Sequence, residues 1–260
     1  VTPGTRQVLS RCLDLSAGGV SISPDPASED ANAVSALAIR GYHAAGGSDG
    51  TVMTVQYETT AADGYEPTYS LFQAGEWVTT SGAMDAAGVD LDTPPDVGLY
   101  TEAHPVVAHV LGDYWAAAWV RVDTAETLET LYVALFDAGT EEWSDAVALA
   151  DITYSARTRF ESLTMVGNHA GDLVLAARYV SSEGATAVAD KRRTVAFRYN
   201  SQLGWLSGQV VGQGCTPGAA SRVGECSQPA QAGILPSGHA LLVFPDQDAS
   251  GITRPAASEF

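Results

Sequence analysis

Three segments of this 260-residue chain repeat one layout of β-rich runs that closes on a tryptophan. Each segment has two short runs joined by a turn, then a third run that ends in an aromatic residue, and then the tryptophan. The closing residues are Trp77, Trp143 and Trp205, so their spacing is 66 residues (143 minus 77) and then 62 (205 minus 143). A regular period of this kind indicates that the chain repeats one supersecondary unit.

The composition of the runs favours strands over helices. They are rich in Val, Tyr, Phe, Thr and Trp, and several alternate apolar with polar residues, as half-buried strands do. No stretch of the chain has a convincing helical periodicity. We therefore predict an all-β fold, a β-propeller of four-stranded blades. A two-sheet sandwich is the competing all-β interpretation, but regular four-strand units with a repeated tryptophan favour the propeller.

We predict a single propeller domain with four units, at residues 35–83, 104–149, 159–212 and 228–260. The fourth unit lacks its outermost strand. Residues 5–10 precede the first full unit, where an outermost strand would lie, and are the candidate to complete the fourth unit. Two alternatives stay open: the N-terminal strand closes the ring and leaves no sheet edge unpaired, or the chain is part of a larger propeller.

The repeat resembles that of a known class of proteins. A second strand of small residues before a tryptophan, Ala116–Trp119, and a third strand followed by Gly-Trp are similar to the repeats of secreted bacterial β-propellers of unassigned function. The stretch Leu131–Trp143 also resembles the repeat of quinoprotein-like propellers, although the other units lack its Asp-x-x-x-Gly pattern. The resemblance implies a propeller fold and transfers no catalytic residue.

The charge of the chain excludes some partners. There are 31 acidic and 13 basic side chains, which gives a formal net charge of -18. Nucleic acid is not an expected partner, because phosphate binding needs clustered Lys and Arg. Membrane insertion is not expected either, because the longest apolar run, Tyr114–Val120, is far shorter than the roughly 20 residues of a spanning helix.

The three cysteines indicate the compartment. Cys215 and Cys226 bracket a stretch rich in Gly, Pro and Ser, and we predict that they form a disulfide that staples this loop. Cys12 is then left over, either buried or paired with another chain. The chain begins at Val1, which is typical of a processed or excised segment. We therefore expect an extracellular, cell-surface or periplasmic protein.

One loop has the spacing of a cation site. Asp246, Asp248 and Ser250 stand at alternate positions before Gly251, as in the opening of many calcium loops, where such side chains converge on one hard cation. The alternative interpretation is a polar hairpin, since Asp, Ser and Gly are turn residues in any case. Calcium is the one cofactor that the sequence predicts.

The long loops between units and between second and third strands emerge at one face of a propeller, which usually holds the ligand. Tyr65, Tyr100 and Tyr154 lie in these loops and are candidate ligand-binding residues. Four histidines (His43, His109, His169 and His239) recur near the turn after the innermost strand, but their unequal spacing favours turn or core histidines over a metal ring.

Three hypotheses for the function follow. The first is a non-catalytic propeller that binds a protein or glycan ligand through its long-loop face. The second is a structural subunit that self-associates by completing the fourth sheet between chains. The third is a hydrolase or lyase that uses carboxylates on a glycan. The innermost runs contain Glu161 and almost no other acid, and this favours the first hypothesis over the third.

Overall fold

A computed structural model of the chain describes residues 13–14, 21–22, 39–59, 65–74, 76–84, 103–123, 127–153, 155, 158–182, 190–216, 226, 228–248 and 250–260. Within these residues there are nineteen strands and no α-helix, so the prediction of an all-β fold is confirmed. They contain no helix that is long and apolar enough to cross a membrane.

The strands form four consecutive antiparallel sheets, which we call blades one to four, and a separate short hairpin. The hairpin consists of β1 (Leu13–Asp14) and β2 (Ser21–Ile22). Blade one consists of β3 (Ile39–Gly46), β4 (Val52–Thr59), β5 (Tyr65–Gln73) and β6 (Glu76–Ala83). Blade two consists of β7 (Val106–Leu111), β8 (Tyr114–Asp123), β9 (Leu128–Asp137), β10 (Glu142–Trp143) and β11 (Val147–Thr153). Blade three consists of β12 (Arg159–Gly167), β13 (Asp172–Ser181), β14 (Lys191–Asn200), β15 (Gly204–Trp205) and β16 (Gln209–Cys215). Blade four consists of β17 (Gln231–Ile234), β18 (Ala240–Gln247) and β19 (Thr253–Glu259).

The repeated tryptophan lies opposite the aromatic residue that ends the third strand of its blade. Trp77 pairs with Phe72, Trp143 with Phe136 and Trp205 with Tyr199. The ring centroids of these pairs are 5.4, 4.9 and 5.3 Å apart. Such aromatic pairs add about 0.5–1.5 kcal/mol beyond the area that they bury. The repeat in the sequence therefore reflects one cross-strand contact that recurs in blades one, two and three.

The blades pack face to face in chain order, and their innermost strands are neighbours. Strand β3 contacts β7, β7 contacts β12, and β12 contacts β17. One apolar cluster lies between blades one and two and includes Met53, Trp115 and Trp119. A larger apolar cluster lies between blades two and three, and a smaller one lies between blades three and four. This radial stacking of small antiparallel sheets is the β-propeller architecture.

Blade four has three strands in the described part of the chain, and no described strand pairs with the outer edge of β19. In blades one to three a further strand lies outside the third. Residues 5–10, the segment predicted to fill this place, lie outside the described residues. Their role in closing the ring therefore stays a prediction.

Candidate functional site

The connections at the two ends of the blades differ in length. We call the end that holds the turns from second to third strand and the crossings between blades the loop end, and the opposite end the turn end. The turns from second to third strand span residues 59–65, 123–128, 181–191 and 247–253. At the turn end, the turns from first to second strand span residues 46–52, 111–114, 167–172 and 234–240. These turns are longer at the loop end in blades two and three and equal in length in blades one and four. The crossings between blades, residues 83–106, 153–159 and 215–231, add further length to the loop end, and long connections commonly carry ligand sites.

Glu161 is the one acidic residue on the described innermost strands β3, β7, β12 and β17, and it lies near the start of β12 at the loop end. The ladder between β12 and β13 is irregular between Phe160 and Ser162, so Glu161 is the extra residue of a β-bulge. Bulges redirect a side chain out of the regular alternation. Glu161 turns toward Arg192, whose Nε donates to both carboxylate oxygens, at 2.9 and 2.7 Å.

Arg178 connects this carboxylate to the segment that enters blade four. Its side chain is only 1% exposed. Nη1 donates to the carbonyl of Gln228 at 2.7 Å, and Nη2 donates to the carbonyl of Cys226. Nε lies 3.8 Å from Glu161. Burial lowers the pKa of Arg178 to about 10, and the charge of Glu161 acts in the opposite direction. Arg178 remains a cation at neutral pH, held by carbonyl oxygens and one carboxylate.

Arg192 presents part of its guanidinium to solvent. The side chain is 19% exposed, whereas that of Glu161 is 8% exposed. Only Nε is engaged, and Nη1 and Nη2 have no hydrogen bond within the described structure. Arg159 lies on the other side of Glu161, with Nη2 at 3.9 Å from Oε1. Three guanidinium groups thus surround one carboxylate.

Basic residues are concentrated at this end of blade three. Five of the 13 in the chain are found here: Arg159, Arg178, Lys191, Arg192 and Arg193. The strand register brings three of them together, since Val180 of β13 pairs with Arg159 on one side and with Arg192 on the other, and Arg178 lies two residues before Val180 on the same face. Lys191 and Arg193 alternate to the opposite face of the sheet. No motif in the sequence predicted this cluster. The signal in the sequence was an arginine excess in one unit of an otherwise acidic chain.

A second buried carboxylate supports the same strand from blade two. Glu129 is fully buried, and its Oε2 accepts a hydrogen bond of 2.7 Å from the backbone N–H of Phe160. Nearby, the hydroxyl of Tyr57 donates to the carbonyl of Val120 at 3.0 Å and accepts from its N–H at 3.0 Å. Burial raises the pKa of Tyr57, so it stays neutral. Both contacts hold neighbouring blades in register, which is a structural role.

The predicted disulfide is confirmed, because Cys215 and Cys226 are bonded. Both residues are buried, and Sγ of Cys215 lies 3.3 Å from Nη2 of Arg178. The disulfide joins the end of β16 to the segment that leads into blade four. It therefore holds these two segments together beside Arg178.

Reduction of this disulfide is expected to destabilise the protein. The cysteines are 11 residues apart, and closing a loop of about this size is worth about 3 kcal/mol in the chain-entropy account. Thermal unfolding with and without dithiothreitol should show a lower Tm in the reduced protein. The matched control is the Cys215→Ser/Cys226→Ser double variant, which should already unfold at the lower temperature and should not respond to the reductant. An unchanged Tm on reduction of the wild-type protein would contradict this.

The carboxylates of the predicted calcium loop have separate protein partners. Asp246 accepts a hydrogen bond of 2.9 Å from the N–H of Gln213 in blade three. This approach requires glycine at Gly212, where φ is +70° and a Cβ would lie 2.7 Å from the Asp246 carboxylate. Asp248 accepts from the hydroxyl of Ser250 at 2.6 Å and from Nε of Arg254 at 2.9 Å. Calcium binding by Asp246, Asp248 and Ser250 is not tested by these contacts and stays a prediction.

The hydrogen bonds of Asp248 are expected to be visible in its titration. The Ser250 hydroxyl and the backbone N–H of Ile252 lower the pKa of Asp248 to about 2. A carboxyl whose pKa is lower in the folded state stabilises the fold at pH values above its unfolded pKa of about 3.9. This stabilisation is lost as the pH falls through the folded pKa of about 2. Side-chain carboxyl NMR should give a midpoint near 2, and a Ser250→Ala variant should move it upward. A midpoint near 4 in the wild-type protein would show that the hairpin contacts are absent in solution.

Of the three candidate ligand-binding tyrosines, only Tyr65 lies within the described residues. Tyr65 is the first residue of strand β5 rather than a loop residue, because the β4–β5 ladder extends to the pair Thr59 and Tyr65. Tyr100 and Tyr154 lie outside the described residues. A ligand-binding role for the three therefore stays a prediction.

Two of the recurring histidines meet at the turn end. Nδ1 of His109 lies 2.7 Å from Nδ1 of His169, and this contact joins blades two and three. Nε2 of His109 lies 2.8 Å from the carbonyl oxygen of Gly112, which can only accept. Nε2 of His109 is therefore the donor in this contact, and the direction of the contact between the two Nδ1 atoms depends on the tautomers. His43 instead accepts a hydrogen bond of 3.3 Å from the N–H of Val107. Turn and core contacts thus account for His43, His109 and His169. In the part of the chain that the structure describes, no group of three or more metal-ligating side chains occurs.

Comparison with known proteins gives structural likeness only. No protein-family model matches the chain, and no curated protein sequence matches it. Among solved structures, the Penicillium chrysogenum alpha-L-arabinanase complexed with arabinobiose matches at 12% identity and a TM-score of 0.48, over 85% of this chain and 62% of that chain. The GH93 alpha-L-arabinofuranosidase of Fusarium graminearum matches at 12% identity and a TM-score of 0.47, over 85% and 61%. The β-propeller domain of the Trilobed protease from Pyrococcus furiosus matches at 8% identity and a TM-score of 0.40, over 85% and 53%.

This chain thus spans about three fifths of the length of the first two enzymes. The propeller assignment rests on the sheet order and the blade packing described above. Membership of the secreted bacterial propeller repeats stays a prediction.

Proposed function

We propose that this protein is a secreted, non-catalytic propeller that binds a glycan at its loop end. The observation that carries the proposal is the state of Glu161, the one acid on the described innermost strands. Both of its oxygens accept from Arg192. Glycoside hydrolysis usually needs two carboxyl groups on opposite sides of the bond, one of them free to give up a proton. A carboxylate held between arginines suits the orientation of those arginines better than it suits proton transfer.

The surroundings of Glu161 support a binding role. The Cys215–Cys226 disulfide and the buried Arg178 lie beside Glu161, so the side chains of the arginine cluster are pre-organised. Pre-organisation reduces the entropy lost when a ligand binds. A disulfide also suits an oxidising compartment, where extracellular glycans are found.

A glycan array with the intact chain, followed by analysis of the bound sugars for cleavage products, tests this proposal. We expect retention of one glycan class with no new reducing ends. Release of shorter sugars would instead support the glycan hydrolase or lyase hypothesis. A protein that binds no sugar on the array would overturn the proposal and leave a protein ligand as the alternative.

A second candidate function is structural, and the outer edge of β19 favours it. Within the described chain no strand pairs with this edge, and an unpaired edge is a template for strand addition from another chain. Native mass spectrometry separates the cases. A 27.0 kDa species would exclude assembly under the conditions used, and a series of its multiples would support assembly.

A further inference from the structure

We propose that the open edge of Arg192 binds the carboxylate of a uronic acid residue in the glycan ligand. This inference rests on the proposed function, since it names the chemical class of the sugar at the same site. The nitrogen atoms of the Arg192 guanidinium differ in their hydrogen bonds. Nε is engaged by Glu161, while Nη1 and Nη2 have no hydrogen bond within the described structure.

Glu161 acts as a positioning residue for this edge. Because Nε donates to both of its oxygens, Glu161 restrains the guanidinium, and the edge formed by Nη1 and Nη2 lies on the side opposite Nε. A guanidinium held in this way presents two parallel N–H groups, the geometry that matches a planar carboxylate. The side chain of Arg192 is 19% exposed, so a ligand can reach it.

The local charge favours an anion although the whole protein is acidic. The guanidinium groups of Arg159, Arg178 and Arg192 lie within 4 Å of the single carboxylate of Glu161. These four groups carry a formal charge of +2 (3 minus 1), and a second carboxylate would lower it to +1. The formal net charge of -18 acts over a longer range and repels large polyanions. At physiological ionic strength this repulsion is screened beyond about 8 Å, whereas a contact pair is screened much less.

The probe is therefore a short sugar acid rather than a long polymer. Trigalacturonic acid and its methyl ester have the same sugar rings and differ in charge. We expect calorimetry at physiological salt to show binding of the acid and at least about tenfold weaker binding of the ester, because charge-assisted hydrogen bonds are lost. This comparison uses the wild-type protein and does not depend on the folding of any variant.

Variants then locate the site. Arg192→Gln is expected to weaken binding of the acid by about 10- to 100-fold and to leave binding of the ester unchanged. Arg192→Lys, which keeps the charge and loses the two-pronged edge, should fall between the two. The matched control is Arg198→Gln, which removes one positive charge from the turn end of the same strand. It should bind the acid as the wild-type protein does.

The outcomes separate this inference from the proposed function. Equal binding of acid and ester would overturn the inference and leave a glycan-binding protein. Equal loss in Arg192→Gln and Arg198→Gln would overturn it too, since the effect would then come from overall charge. Absence of binding to the acid, the ester and every sugar on the array would overturn the proposed function itself.

Discussion

Replacement of Arg178 by alanine is expected to lower the free energy of unfolding by about 3–5 kcal/mol, the range for removal of one partner from a buried ionic network. The side chain is 1% exposed, and it connects Glu161 to the carbonyl oxygens of Cys226 and Gln228. The variant leaves a cavity beside the disulfide and two buried carbonyl groups without their donors. Urea unfolding followed by tryptophan fluorescence measures the change.

Arg254→Ala is the control for this experiment. Arg254 also pairs with a carboxylate, that of Asp248, but its side chain is 66% exposed. Exposed ion pairs contribute about 0–1 kcal/mol, so this variant should unfold almost as the wild-type protein does. If Arg178→Ala costs no more than Arg254→Ala, Arg178 does not join blade three to the segment that enters blade four.

The second large effect is expected at Trp119, which packs between blades one and two. Trp119 is 1% exposed and stacks on Tyr132 with ring centroids 6.0 Å apart. Its Nε1 has no hydrogen-bond partner in the described structure. Trp119→Ala should therefore cost about 3–5 kcal/mol through lost burial and the cavity.

The conservative variant at the same position separates packing from hydrogen bonding. Trp119→Phe removes the unpartnered N–H together with part of the ring, so it should cost only about 1 kcal/mol. Urea unfolding of both variants checks the pair of values. A large loss in Trp119→Phe would mean that Nε1 has a partner in solution, and a small loss in Trp119→Ala would mean that the face between the two blades is not tightly packed.

The blades could be predicted from the sequence because one contact repeats in each of three blades. The pairing of Trp143 with Phe136, for example, fixes the spacing between the third strand and the outer edge of its blade. The composition of the runs predicted that they are strands, since β-branched and aromatic residues suit a pleated surface. The disulfide could be predicted because both cysteines flank one short loop.

The arginine cluster could not be predicted in the same way. Glu161, Arg178 and Arg192 come from three different strands, and only the register of β12, β13 and β14 brings them together. The bulge after Phe160 also changes the direction of Glu161, and no local pattern in the sequence marks it. The stretch Lys191–Arg193 is basic in the sequence, but only the structure shows that it is the start of β14, beside the bulge of β12.

The most direct test of the central claim, ligand binding at the loop end of blade three, is hydrogen–deuterium exchange with and without trigalacturonic acid. We expect the ligand to slow exchange at the start of β12 (Arg159–Gly167) and of β14 (Lys191–Asn200), which frame the arginine cluster. Exchange in the turn after β12, residues 167–172, should not change, because this turn lies at the opposite end of the blade. Slower exchange at the turn end alone, with none at the starts of β12 and β14, would contradict the account.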